Sequence, residues 1–119
     1  MAIDQDDACY RRGRIKQINP DGSAGSRVFK PREKDDGKLS VDIKSLTSAK
    51  ISVVSTSEFN LFEISVSQVQ NIPNIRGKQL FVEEDPLPYN PAHALIGIIE
   101  IDDDITPLLL ARASKRVNL

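Results

Sequence analysis

The single histidine, His93, closes the segment Asp85-Pro86-Leu87-Pro88-Tyr89-Asn90-Pro91-Ala92-His93. An imidazole titrates at about 6.5, so it can take or give a proton near neutral pH. That makes His93 the candidate catalytic acid–base. Three of the seven prolines fall within the six residues 86–91. Proline fixes φ and restricts the residue before it, so the approach to His93 is stiff and extended. Asp85 and Asn90, in the same segment, are candidate supporting residues. The alternative stays open: a lone histidine beside an apolar strand can be a packed residue hydrogen-bonded to backbone.

A second set of chemistry-bearing residues lies in Arg27-Val28-Phe29-Lys30-Pro31-Arg32 and the run that follows it to Asp42. Arg27, Lys30, Arg32 and Lys38 could hold an anion or an acidic partner, aided by the N–H groups of an Asp36-Gly37 turn. A charged surface hairpin is the competing interpretation. Cys9 and His93 could pair as nucleophile and base only if the N-terminal segment folded over the site. One Cys and one His do not fill a zinc site. Asp102-Asp103-Asp104 and Glu83-Glu84-Asp85 lack the spacing of a calcium loop. No metal and no cofactor are expected, and no phosphate-binding glycine loop or nucleophile elbow occurs.

Charge is divided along the chain. Residues 11–38 hold nine Lys/Arg against four acids, whereas residues 83–104 hold seven acids and no Lys/Arg. The two regions could meet and neutralise each other, or the basic one could face phosphate or an acidic partner. The net charge of −1 and only six aromatic residues weaken a nucleic-acid reading without excluding it. A single cysteine permits no internal disulfide and fits a reducing, cytoplasmic setting. Nothing approaches the roughly 20 apolar residues of a membrane span, and the acidic start does not resemble a signal peptide.

These residues need a scaffold, and 119 residues suffice for one core. Residues 1–10 read as a flexible acidic tail, with one α+β domain over 11–119. Leu39-Ser40-Val41-Asp42-Ile43 alternates as a half-buried strand. Weaker strand patterns cover residues 13–18, 51–55, 59–64 and 78–82. Residues 92–101 read as a strand covered on both faces, although Asn90-Pro91 could also start a helix. Ser65 caps a short helix that ends before Pro73. Thr106-Pro107 opens a C-terminal helix near 107–117, with Leu109, Ala113 and Val117 on one stripe and Lys115 and Arg116 at its negative end. The expected fold is α+β, with a mainly antiparallel sheet, one short internal helix and a C-terminal helix.

The segments Phe29-Lys30-Pro31-Arg32 and Asp36-Gly37-Lys38-Leu39-Ser40-Val41-Asp42, followed by Asp85-Pro86-Leu87-Pro88…Asn90-Pro91-Ala92-His93-Ala94, resemble a group of short bacterial proteins without an assigned activity. The resemblance covers roughly residues 10–97 and implies that both segments belong to one unit. It transfers no functional residue. Two functions remain in contention. The favoured expectation is a small soluble accessory or binding protein with a protein partner, such as a component of a bacterial toxin–antitoxin or defence system. The alternative is a small enzyme acting on a phosphate- or nucleotide-containing substrate with His93 as general acid–base. A pocket joining His93 to two of the basic side chains would favour the enzyme.

Overall fold

The structure, a computed structural model, describes residues 3–119. Six strands form one sheet: β1 (Ala8–Arg14), β2 (Leu39–Ile43), β3 (Phe59–Ser65), β4 (Phe81–Glu84), β5 (His93–Gly97) and β6 (Lys115–Arg116). Their order is β4-β5-β2-β1-β3-β6, and every neighbouring pair is antiparallel. Three α-helices accompany them: α1 (Ala49–Val53), α2 (Val66–Gln70) and α3 (Ile105–Ala113). The α+β expectation holds, with α1 as an additional internal helix.

Side chains alternate across a strand, so Leu39, Val41 and Ile43 share one face. With Cys9, Phe62, Ile64, Ala94 and Ile96 they form the main core. Val66 and Val69 of α2, Leu110 and Ala111 of α3, and Val28 and Phe29 from the 3-10 turn Ser26–Phe29 cover that face. Burying each large apolar side chain contributes about 1.5–3 kcal/mol. Gly13 is required where β1 meets this cover: a Cβ there would lie 2.9 Å from both Phe62 and Val28. Tyr10, Val53 and Leu61 form a smaller cluster with Ala49, Phe59 and Val117.

Several boundaries differ from the sequence reading. The expected tail is shorter than ten residues, because Ala8, Cys9 and Tyr10 are buried in β1 at the centre of the sheet. Asp7 is tied down as well: its carboxylate accepts from the Ser45 hydroxyl and backbone N–H. Met1 and Ala2 of that expected tail lie outside the described residues. The first strand is therefore Ala8–Arg14, and residues 15–17 form a 3-10 turn. Residues 51–55 are not a strand. Ser48 accepts from the Ile51 N–H and caps α1, which places Val53 in the smaller cluster.

The helix after Ser65 forms as expected, with a reciprocal Ser65–Gln68 capping box. β4 begins later than residue 78, after a turn in which Gly77 adopts φ +77°. β5 ends at Gly97 and is second from the edge, so the doubly covered strand over 92–101 is shorter and less central than expected. The C-terminal helix begins at Ile105 and ends at Ala113. Asp103 accepts from the N–H groups of Ile105 and Thr106, so this carboxylate caps the helix in place of Thr106. The inward face is Thr106, Pro107, Leu110 and Ala111, whereas Leu109 is partly exposed. Lys115 and Arg116 leave the helix and pair with Glu63 and Phe62 as β6.

Candidate functional site

Strand register places His93 opposite Asp42, Asp42 opposite Tyr10, Tyr10 opposite Glu63, and Glu63 opposite Lys115. One row of side chains therefore crosses five strands on the face away from the main core. Above its His93 end lies a groove of about 650 Å³. This volume is within the range of small-molecule sites, roughly 300–1,000 Å³.

The proline-rich segment forms one wall. Leu87 and Asn90 exchange both backbone hydrogen bonds at 3.0 Å, closing a tight turn around Pro88 and Tyr89. The Asp85 N–H donates to His93 O, and the His93 N–H donates to Asn90 O. The Ala92 N–H donates to the Asn90 side chain. Prolines carry no N–H, so only the Tyr89 N–H, at the tip, lacks a protein acceptor among the described residues. The stiffness inferred from sequence thus belongs to a hydrogen-bonded turn that lines the groove.

Asp42 joins that turn to the floor. This buried carboxylate accepts from the Ser52 hydroxyl at 2.7 Å and from the Asn90 side-chain amide at 2.8 Å. His93 is held by Asp85: its Nδ1 lies 3.0 Å from the Asp85 carbonyl and 3.2 Å from the carboxylate. A carbonyl only accepts, so this contact assigns the proton of the neutral ring to Nδ1. Nε2 is then the basic nitrogen, and it has no protein partner among the described residues.

Six Lys/Arg side chains line the groove, against the two carboxylates of Asp35 and Asp42. Lys30 pairs with Asp104 at 2.8 Å, and Arg32 pairs with Asp35 at 3.2 Å. Arg11 donates to the backbone carbonyls of Val28 and Ser40 where β1 and β2 part. Burial pushes its guanidinium down to about 10, with the neighbouring Arg12 adding to the effect. Arg12 donates to Ser52 O, and the guanidinium groups of Arg12 and Arg14 lie 5.7 and 5.2 Å from the centre of the Phe59 ring. Arg11, Arg12, Arg14 and Arg27 make no ion pair among the described residues. Backbone carbonyls and an aromatic face orient arginines without cancelling their charge.

Of the residues singled out by sequence, His93, Arg27, Lys30, Arg32 and Asn90 all line this groove. Asp85 stands behind His93. Lys38 lies outside the lining and faces Glu83 at 3.6 Å. The acidic region reaches Lys30, Lys38 and Arg76, but none of its carboxylates pairs with Arg11, Arg12, Arg14 or Arg27 among the described residues. Sequence reasoning did not single out Arg12, Arg14, Asp42, Ser52 or Tyr89. Arg12 and Arg14 could have been found from their i, i+2 spacing once they were placed on a strand.

Cys9 is fully buried on the opposite face, where burial and then Asp7 raise its thiol to about 12. It forms no pair with His93. No cluster of metal-ligating side chains occurs among the described residues. No helix among them is long and apolar enough to cross a membrane. The chain matches no family model, and no curated protein or solved structure is significantly similar to it.

Proposed function

We propose that this protein is a small enzyme acting on a phosphate-bearing substrate, with His93 as its general acid–base. The observation that carries this reading is the shared groove. Among the described residues, His93 has Nδ1 held by Asp85 and Nε2 without a partner, and it lines one groove with Arg12, Arg14 and Arg27, none of which makes an ion pair there. In this reading the arginines hold phosphate oxygens, and their charge grows more effective as negative charge builds in the transition state. Nε2 takes the proton of a water or hydroxyl that attacks phosphorus. The imidazolium then returns it to the departing oxygen, so the step needs no redox partner.

Turnover of a panel of phosphomonoesters, phosphodiesters and phosphoanhydrides, followed by phosphorus NMR, tests this reading. Wild type should convert at least one class. His93→Gln should bind it and not convert it, and Arg14→Ala with Arg27→Ala should lose affinity. Binding without turnover across the panel would overturn the enzymatic reading.

The second reading, an accessory component of a bacterial multi-protein system, has one observation in its favour. Ile51 and Val54 are 71% and 68% exposed at the groove rim, where apolar side chains suit a protein partner. A complex that survives Arg14→Ala with Arg27→Ala but is lost with Ile51→Ser would favour it.

A further inference from the structure

We propose that the phosphate-bearing ligand is a nucleotide and that Tyr89 is the platform on which its base stacks. This rests on the groove being a phosphate site and goes further by naming what the phosphate is attached to. Three aromatic residues line the groove: Tyr10, Phe59 and Tyr89. Tyr10 is buried in the sheet, and Phe59 lies beneath Arg12 and Arg14. Of these three, Tyr89 alone offers a free ring: at 84% it is the most exposed large hydrophobic side chain among the described residues.

Its exposure is not that of a loose loop. The backbone hydrogen bonds between Leu87 and Asn90 close the turn beneath it, and Asn90 is fastened to the buried Asp42. A tyrosine on a rigid support gives up little conformational freedom when it is covered, since only two side-chain torsions become fixed. Stacking on such a ring accepts any base, because every base has a π face. The groove therefore joins a base platform and several guanidinium groups in one lining. A phosphate alone would use only half of it.

Two sources supply this chemistry: a free nucleotide and a single strand of nucleic acid. Titration calorimetry with adenosine monophosphate, ribose phosphate and a short oligoadenylate separates them. Base stacking predicts that adenosine monophosphate binds about five- to 150-fold more tightly than ribose phosphate. Tyr89→Ala should abolish that preference and leave ribose phosphate binding unchanged, while Tyr89→Phe should retain it. A tighter oligoadenylate that still depends on Tyr89 assigns the ligand to a strand; a weaker one assigns it to a free nucleotide. Equal binding of nucleotide and ribose phosphate, or a preference that survives Tyr89→Ala, overturns the nucleotide inference and leaves the phosphate site standing. Failure of all three ligands to bind overturns the phosphate site itself.

Discussion

Removing the Asp42 carboxylate should loosen the groove wall and destabilise the fold together. Asp42 is buried and accepts from Ser52 on α1 and from Asn90 on the proline-rich turn. A hydrogen bond to a charged group contributes roughly 1.5–3 kcal/mol, and unpaired buried donors add their own desolvation cost. Against this, deletion releases a carboxylate that is costly to bury. The balance for Asp42→Ala is a loss of about 2–4 kcal/mol. Asp42→Asn keeps one acceptor and presents an N–H₂ to the other donor, so it should lose about 1–2 kcal/mol. Urea unfolding followed by far-ultraviolet circular dichroism measures both. A cycle with Asn90→Ala isolates the link to the turn, with an expected coupling of about 1–2 kcal/mol. A loss below about 0.5 kcal/mol for Asp42→Ala, or zero coupling with Asn90, would refute the argument that this buried carboxylate holds the wall in place.

Further outcomes follow from other positions. Val54 is an exposed β-branched residue at φ +67°, ψ −56°, in a tight turn closed by the Ser55 N–H on Val53 O. Such strain costs about 1–3 kcal/mol, so Val54→Gly should raise stability despite glycine's greater unfolded-state freedom, as read by thermal midpoint. Asp103 is buried, which opposes ionisation. The hydroxyl and N–H of Thr106 and the N–H groups of Ile105 and Ile75 nevertheless hold its carboxyl below the usual range. Its stabilisation is therefore full above its unfolded pKa and is lost as pH falls through the lower folded value. Acid unfolding of Asp103→Asn should show a flatter acid limb than wild type. Cys9, buried and raised to about 12, should resist a thiol reagent in the native protein and react in urea.

The sheet was legible where period and burial agree. Leu39, Val41 and Ile43 alternate because one face of β2 is core, and the Ser65–Gln68 box marks α2 by local hydrogen bonding alone. Legibility failed where tertiary contacts outweigh local preference. Ile51-Ser52-Val53 carries β-branched residues, yet the Ser48 cap and the Val53 contact with Tyr10 and Leu61 make it helical. Ala8-Cys9-Tyr10 is too short a pattern to reveal a central strand, because its partners lie more than thirty residues away in β2 and more than fifty away in β3. For the site, His93 and Arg27, Lys30 and Arg32 could be nominated by residue type. Their union with Arg12, Arg14 and Asp42 depends on the register of β1, β2 and β5, and no local pattern encodes it.

The most direct test of the groove reads His93 itself. It is the chain's only histidine, so its ring nitrogens give one unambiguous set of NMR signals. In its neutral form the ring should show the Nδ1–H tautomer fixed by the Asp85 carbonyl. Adding pyrophosphate should shift Nε2 far more than Nδ1. That response should weaken with added salt and vanish in Arg14→Ala with Arg27→Ala, because screened or missing guanidinium charge no longer holds the anion. An Nε2–H tautomer, or ring signals that ignore pyrophosphate at low salt, would contradict a phosphate groove built around His93.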